Sequence, residues 1–410
     1  MEIRPILSTL LRSKTAPLLI AAQVALTLAI VCNAVYIIKD RLATSSRPSG
    51  ADESNSFVMA FSAARPIGDI ESMQRRDLEA LRGIPGVAAA AWTNQVPLGR
   101  SGWNTGGINT DPTANQPTDI QSAQYMSGDS LIDAFGLKLV EGRDFLPEEI
   151  TVHDPEKEAP PLHHALITRA LAEQLWPEES RYAGRQFYNG NGPEATPITV
   201  VGVIEQLQTP WAPVNPLRAE SSMLLPRRYL DDYSQYIVRT EPGQRAAVMR
   251  EAEKTLLALR SDRVLRFTRT MDQVRDRRYA GERLMAGLLI GVTAFLLLIT
   301  ASGIVGMSSL WVNQRRKQIG VRRALGARRV DILRYFLVEN LLISSAGVLA
   351  GLLLALLLND LLVRELSLPR MPVEYLVGGM VFMWILGLGS VLSPAIRAAA
   401  VPPAVATRTA

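Results

Sequence analysis

The chain has 410 residues, 48% of them hydrophobic, and a formal net charge of +5 from 44 Lys and Arg against 39 Asp and Glu. Its single cysteine, Cys32, excludes an internal disulfide framework. A polar region of about 240 residues between apolar ends is long enough to build its own core. The basic excess lies beside the apolar runs, so it reads as membrane topology and not as a nucleic-acid footprint.

Four segments reach the roughly 20 apolar residues that a bilayer core demands of a helix. They are 16–38, 284–312, 333–358 and 373–393. The first follows a basic segment, 1–15, with Arg4, Arg12 and Lys14. Its apolar run exceeds a signal-peptide core of roughly 7–15 residues and no small-x-small site follows, so an uncleaved anchor is expected.

Residues 39–283 then form a large extracytoplasmic domain of mixed α/β type. Segment 56–62 alternates like a strand. Segment 69–81 has helical spacing through Ile70, Met73, Leu78 and Leu81, and Gly83 and Pro85 close it. Segment 87–96 returns as a strand. A second strand–helix–strand unit occupies 236–239, 245–259 and 264–268. The two units, about 56–126 and 226–270, are expected to form one subdomain, with 127–225 inserted as another. The insertion has its own strands at 165–168 and 198–204 and a helix at 169–176. Segments 43–56 and 98–118 are rich in Ser, Gly, Asn, Thr and Pro and read as a linker and a mobile loop.

No catalytic, cofactor-binding or metal-binding residue is assigned. His153, His163 and His164 lie in a polar loop without the spacing of metal ligands. There is no Gly-x-Ser-x-Gly elbow. Asp231-Asp232 and Glu148-Glu149 read as exposed charges.

Segment 313–332 carries Arg315, Arg316, Lys317, Arg322, Arg323, Arg328 and Arg329 between two apolar runs. Lys and Arg flanking spans resist translocation. With the basic segment 1–15 and with Arg397 and Arg408 in the tail 394–410, they place both termini and this loop in the cytoplasm. Segment 359–372 then lies outside. Gly320 and Gly326 frame what reads as a short helix, and the loop reads as a docking surface for a cytoplasmic protein. Adhesion to anionic lipid headgroups is the alternative. Glu339 sits about two turns into the third span, where it is expected to pair with an arginine of a neighbouring helix; snorkelling is the alternative. Gly287 with Gly291, and Gly347 with Gly351, have GxxxG-type spacing and are candidates for close helix approach between chains.

The stretch Gln318-Ile319-Gly320-Val321-Arg322-Arg323-Ala324-Leu325-Gly326-Ala327 resembles the Glu-Ile-Gly-Ile-Arg-x-Ala-x-Gly-Ala loop of MacB/FtsX-type permeases of ABC transporters. Asp331-Ile332-Leu333 and Glu339 match the start of that family's third span. GLKLVEGRDF (136–145), ALITRALAEQLWP (165–177) and ITVVGVI (198–204) resemble its periplasmic core domain. Pro394-Ala395, Arg397-Ala398, Pro403-Ala404 and Arg408 resemble its closing motif. Gln318 replaces the usual Glu, and Ala327 stands where a capping Ser or Thr is common.

The resemblance implies a four-span permease of the inner membrane with a porter-like periplasmic domain. It implies work by mechanotransmission, with residues 318–326 as the contact for a cytoplasmic ABC ATPase dimer. The sequence has no GxxxxGK[ST], so ATP and Mg2+ are expected on that partner and no cofactor on this chain. A second permease chain, identical or paralogous, is implied, and for efflux a periplasmic adaptor and an outer-membrane channel. Two other roles stay open: an FtsX-like transducer that activates periplasmic cell-wall hydrolases, and a permease for lipoprotein extraction.

Overall fold

The computed structural model describes residues 15–113, 118–190, 195–212, 215–366 and 370–400. The basic flank Arg4, Arg12 and Lys14 and the closing-motif residues Pro403, Ala404 and Arg408 lie outside them. The chain divides into two units, Ser46–Ala280 and a second made of Met1–Ser45 with Gly281–Ala410.

In chain order the elements are α1 (Thr15–Ser46), β1 (Ser56–Ala63), α2 (Ile70–Arg82), β2 (Val87–Trp92), β3 (Asn104–Gly106), β4 (Ile108–Asn109) and β5 (Gln121–Ser127). Then follow α3 (Leu131–Phe135), β6 (Leu139–Gly142), β7 (Thr151–His153), β8 (His164–Thr168), α4 (Arg169–Leu175), β9 (Gln186–Asn189), β10 (Thr196–Ile204) and α5 (Pro216–Ala219). The rest are β11 (Ser222–Tyr229), β12 (Tyr233–Thr240), α6 (Arg245–Leu259), β13 (Arg263–Thr270), α7 (Met271–Gln314), α8 (Arg316–Ala324), α9 (Arg329–Leu366) and α10 (Val373–Ala399).

The first sheet of the Ser46–Ala280 unit has the order β13-β1-β12-β2 and is antiparallel throughout. With α2 and α6 in the crossovers this is a ferredoxin-like βαββαβ arrangement, split between its second and third strands. Asp69 starts α2 by accepting the Ser72 N–H at 2.9 Å. The helix then buries Met73, Leu78 and Leu81. Phe57, Met59, Phe61 and Trp92 join this helical layer, whereas Val58, Ala91 and Ile237 pack with Leu131 and Phe135 of α3. Strand β1 is therefore apolar on both faces, which polar–apolar alternation alone does not convey. Inside the helical layer Arg263 pairs with Asp77 at 2.5 Å, and Tyr236 donates its hydroxyl to the same carboxylate at 2.6 Å.

The second sheet runs β3-β5-β11-β8-β10-β9-β4, with β6 beside β10 and β7 beside β11. Its two ends, β3 and β4, are consecutive in the chain and separated only by Gly107 at φ +69°. The sheet thus curls back on itself and leaves few open edges. Three expectations change here. Parallel pairing of β5 with β11 brings 121–127 and 222–229 into the inserted subdomain, which exceeds the expected 127–225 at both ends. Segment 98–118 holds β3 and β4 where a mobile loop was expected. Glu149 is no exposed charge: Arg143 grips it with two hydrogen bonds at 2.8 and 2.6 Å. That Arg143 grip, outweighing the cost of burial, lowers the carboxyl to about 2.

Segment 43–56 is also no linker. Residues 43–46 continue α1, and Glu53 pairs with Arg275 at the start of α7. Ser49 donates to Glu53 at 2.5 Å. Gln208 accepts from Tyr279 at 3.0 Å and donates to the Pro48 carbonyl at 2.8 Å. The stretch that enters the unit is thereby tied to the stretch that leaves it. Burial opposes ionisation of Glu53, but Arg275 and Ser49 outweigh it and hold the carboxyl below its usual range.

In the other unit α1, α7, α9 and α10 are long and apolar enough to cross a membrane. Each outruns its apolar core, because polar turns beyond the bilayer stay helical. The 44 residues of α7 amount to about 66 Å. Over half of the apolar stretch of α1 is buried within the chain (56%), against 17% for α7. Its three polar side chains are all used between helices. Thr27 meets the Thr300 hydroxyl at 2.7 Å, Gln23 donates to the Ile299 carbonyl at 3.1 Å, and Asn33 donates to the Ala355 carbonyl at 3.1 Å.

Two predictions follow from these contacts. Glu53→Gln is expected to destabilise the Ser46–Ala280 unit by about 2 kcal/mol at neutral pH. A folded carboxyl held below its unfolded value stabilises above that value, so the gap to wild type should close as pH falls through the carboxylate range. Denaturant melts of the full chain at pH 7 and pH 4 test this. Gly351→Val is expected to cost about 1–3 kcal/mol by overpacking, because its β-carbon would lie 2.8 Å from the Ala25 carbonyl oxygen. Gly287→Val, with open space beside it, should leave the melting temperature of the chain unchanged.

Candidate coupling site

The basic segment folds as a short helix between two sharp breaks. α7 ends at Gln314, Arg315 leaves helical geometry, and α8 runs from Arg316 to Ala324. Its exit is a Schellman cap: the Gly326 N–H donates to the Arg323 carbonyl at 3.2 Å and the Ala327 N–H to the Arg322 carbonyl at 3.0 Å. Gly326 sits at φ +100°, a conformation that L side chains resist by roughly 1–2 kcal/mol. Gly326 is thus a helix terminator, and Gly320 does not frame the helix but lies buried within it. The missing Ser or Thr at Ala327 is offset by Asp331, whose carboxylate accepts the Arg328 N–H at 2.9 Å. Asp331 also places negative charge at the N-terminus of α9.

One side of α8 holds the bundle. Ile319 is 5% exposed, and Arg323 donates to the Ala399 carbonyl at the end of α10 at 3.2 Å. Arg322, exposed at the border between the two sides, lies over the Tyr335 ring at 5.2 Å. The other side is open. Gln318, Val321, Arg322 and Leu325 fall at helical spacing and are exposed, Val321 by 52% and Leu325 by 82%. An apolar pair four residues apart, framed by cations and uncovered within the chain, suits docking of a surface with apolar and acidic groups. Gln318 contributes an amide to that face and no charge.

Glu339 is 1% exposed. Its carboxylate accepts from Arg315 Nη1 at 2.8 and 3.0 Å, and Tyr335 OH stands 3.3 Å from the same nitrogen. The pair fastens the α7–α8 junction to α9 without snorkelling. Glu339 is conspicuous in sequence as an acid in an apolar run. Nothing in sequence singles out Arg315, 24 residues earlier, from the six basic residues that follow it. The roles of Arg323 and Asp331 were likewise invisible, since both depend on backbone groups at helix ends.

The four glycines divide. Gly347 and Gly351 face the chain's own α1, where added β-carbons would meet Ala21 and Ala25 carbonyl oxygens at 2.7 and 2.8 Å. Gly287 and Gly291 have nothing within 4 Å. Among the described residues no group of three His, Cys, Asp or Glu converges on a cation-sized site. His153 instead packs edge-on against Tyr229, and His164 lies 3.7 Å from Glu149.

Residues 22–255 match the family model of the MacB-like periplasmic core domain, and residues 290–403 that of the FtsX-like permease C-terminal region. The macrolide export ATP-binding/permease protein MacB of Bradyrhizobium diazoefficiens is 33% identical over 221 residues, which cover 51% of this chain and 33% of that protein. MacB of Escherichia coli K12 is 26% identical over 260 residues, covering 62% of this chain and 37% of that protein. The matches thus span about a third of these curated relatives' own length. The extracellular domain of the noncanonic ABC-type transporter YknZ from Gram-positive bacteria aligns over 51% of this chain and 100% of its own length, at 14% identity and a TM-score of 0.31. With one family model over more than half of its length and a second over the remaining spans, this four-helix membrane protein belongs to the MacB/FtsX-like permeases of ABC transporters.

Proposed function

We propose that the chain is the permease half of a mechanotransmitting exporter of the inner membrane. Both termini and α8 face the cytoplasm, and the Ser46–Ala280 unit faces the periplasm. A separate ABC ATPase dimer, which would supply ATP and Mg2+, docks on Gln318, Val321, Arg322 and Leu325. The observation that carries this reading is the open apolar stripe on a helix whose opposite side is bolted to α9 and α10. Force on α8 would reach the bundle through Arg315–Glu339 and Arg323–Ala399, and α7 continues unbroken from Gln314 back to Met271. The polar groups of α1 are consumed in helix contacts, which supports handling of cargo outside the bilayer centre without a hydrophilic channel. Gly287 and Gly291 leave room on α7 for a second permease chain, identical or paralogous. A periplasmic adaptor and an outer-membrane channel complete the efflux reading.

Co-purification of the full chain in mild detergent, with the captured ATPase and periplasmic proteins identified, tests it. Capture of a cell-wall hydrolase in place of an adaptor would move the role to signalling; a lipoprotein chaperone would move it to extraction. Leu325→Asp should leave the melting temperature unchanged, because the residue is 82% exposed. It should cut ATPase capture and stimulation by about tenfold or more. Wild-type capture in that variant, with loss only when the arginines are neutralised, would mean that the loop serves lipid headgroups. Glu339→Gln strands the Arg315 guanidinium at a cost of about 2–3 kcal/mol. The ATPase should still bind this variant while its stimulation falls; unchanged stimulation in nanodiscs would remove the ion pair from the coupling path.

A further inference from the structure

The Ser46–Ala280 unit contains a cleft of about 700 Å³, within the roughly 300–1,000 Å³ of drug-sized sites. It opens between the turn after β2, the segment 98–103, the β11–β12 connection and the end of β13. Three observations meet in it.

The first is a set of buried donors without acceptors. Trp92 Nε1, Gln95 Nε2 and Gln235 Nε2 are all buried, on residues 2%, 3% and 7% exposed, and none has a hydrogen-bond partner. All three residues line the cleft. A buried unpaired donor costs about 1–3 kcal/mol, so three around one space call for an acceptor inside it. Gln95 is held for this: its Oε1 accepts the Trp103 N–H at 2.5 Å, which leaves the amide nitrogen as its free end. A β-carbon at Gly102 would displace that same Oε1 and press on the Pro210 ring at 2.7 Å.

The second is a concentration of positive charge. Arg100, Arg269 and Arg277 line the cleft, and no carboxylate lies within ion-pair reach of any of them among the described residues. Arg269 stacks on Phe267 at 4.0 Å. Burial first, and then the neighbouring Arg277, hold its guanidinium below the usual range. Asp231 is the one acid lining the cleft, and it is engaged by the Tyr233 N–H at 2.9 Å.

The third is a rigid aromatic mouth. Trp103 packs edge-on against Tyr229 at 5.0 Å, and Tyr233 is exposed beside it. Leu98 and Arg100 take φ of +64° and +81°, conformations that non-glycine residues hold only at a cost. The Pro210 carbonyl fixes that turn by accepting the Arg100 N–H at 2.8 Å, and Arg100 in turn donates to the Arg277 carbonyl at 3.0 Å. Two of the three non-glycine residues with positive φ among the described residues stand in this wall, the third being Ala212, and strain held at a cleft wall is a form of preorganisation for a ligand.

We propose that this cleft binds a drug-sized aromatic carboxylate. The ring system lies among Trp103, Tyr233 and Phe267. The carboxylate pairs with Arg269 and Arg277. Neutral acceptor oxygens on the ligand take the Trp92, Gln95 and Gln235 donors, and Asp231 disfavours a second negative group near the mouth. This site is independent of the ATPase surface on α8, and its test requires no ATPase.

The test is photolabelling of the full chain in nanodiscs with 4-benzoylbenzoate, beside its neutral analogue 4-benzoylbenzamide, with labelled peptides mapped by mass spectrometry. Saturable labelling of peptides spanning 92–103 and 229–235 is expected, with the amide at least about tenfold weaker. The double variant Arg269→Gln/Arg277→Gln should lose labelling to a similar degree, while Arg277→Lys retains part of it. Trp103→Ala, at an exposed position, should weaken labelling without changing the melting temperature, which separates loss of the site from loss of the fold. Equal labelling by the amide, labels confined to the unit of Met1–Ser45 with Gly281–Ala410, or absence of saturation would each overturn the assignment.

Discussion

Gly303, Gly347, Gly351 and Gly379 all face α1, and a β-carbon on any of them would fall within 3.0 Å of an α1 atom. They come from α7, α9 and α10, so all three other spans pack closely on one helix: α9 against the Ala21 and Ala25 carbonyls, α7 against the Gln23 side chain and α10 against the Cys32 side chain. In a bilayer this is what helix association has to work with, since lipid tails are as apolar as leucine and burial adds little. The polar contacts lie along the same helix. Gln23 and Thr27 reach α7, and Asn33 reaches α9. Asn33 also accepts from Asn359, whose own oxygen takes the Met371 N–H. The membrane unit is therefore ordered around its first helix, although α8, its candidate working part, lies some 300 residues later in sequence.

Charge is confined to the ends of the helices. Arg41 pairs with Glu282 at 2.6 Å between the far ends of α1 and α7, and Arg315 pairs with Glu339 at the near ends of α7 and α9. An ion pair at the bilayer margin carries a smaller desolvation penalty than one at the centre. It can therefore set the relation of two helices without destabilising insertion. Between these two pairs α7 makes few buried contacts of its own, so its position is governed chiefly at its ends and along α1. That distribution leaves the middle of α7 with few fixed contacts within the chain.

The parts of this fold that were legible in sequence are those governed by local pattern. Long apolar runs mark spans, and their polar extensions were missed because a helix that leaves the bilayer stops scoring as apolar. The ferredoxin-like half was legible because each βαβ unit carries its own period and caps, such as Asp69 and Gly83. Of the second sheet only β8 and β10 were legible, as the strands at 165–168 and 198–204. β3, β4, β6, β7 and β9 have only two to four residues each, and the pairs β4–β9, β6–β10 and β7–β11 join positions more than 50 apart in the chain. The same limit holds for sites. Gly326, Leu325 and Glu339 stand out by residue type, whereas Arg315, Arg323 and the lining of the 700 Å³ cleft acquire meaning only once distant segments meet.

The ties between 47–53 and 275–279 add a constraint on any motion passed through α7. Glu53 holds Arg275, and Gln208 holds the Arg47 and Pro48 carbonyls together with Tyr279. Tyr125 of β5 donates to the Gln208 backbone carbonyl at 2.6 Å, so the second sheet is fastened to the same knot. Arg278 closes it by donating to the Trp211 and Ala212 carbonyls. A tug on the start of α7 would thus load both sheets of the Ser46–Ala280 unit together and would not simply peel β13 from β1. The knot also lies close in sequence to Arg277 and Val274, which line the cleft. Val274 and Arg277 are residues of α7 itself, so a displacement of the start of that helix would also displace part of the cleft wall.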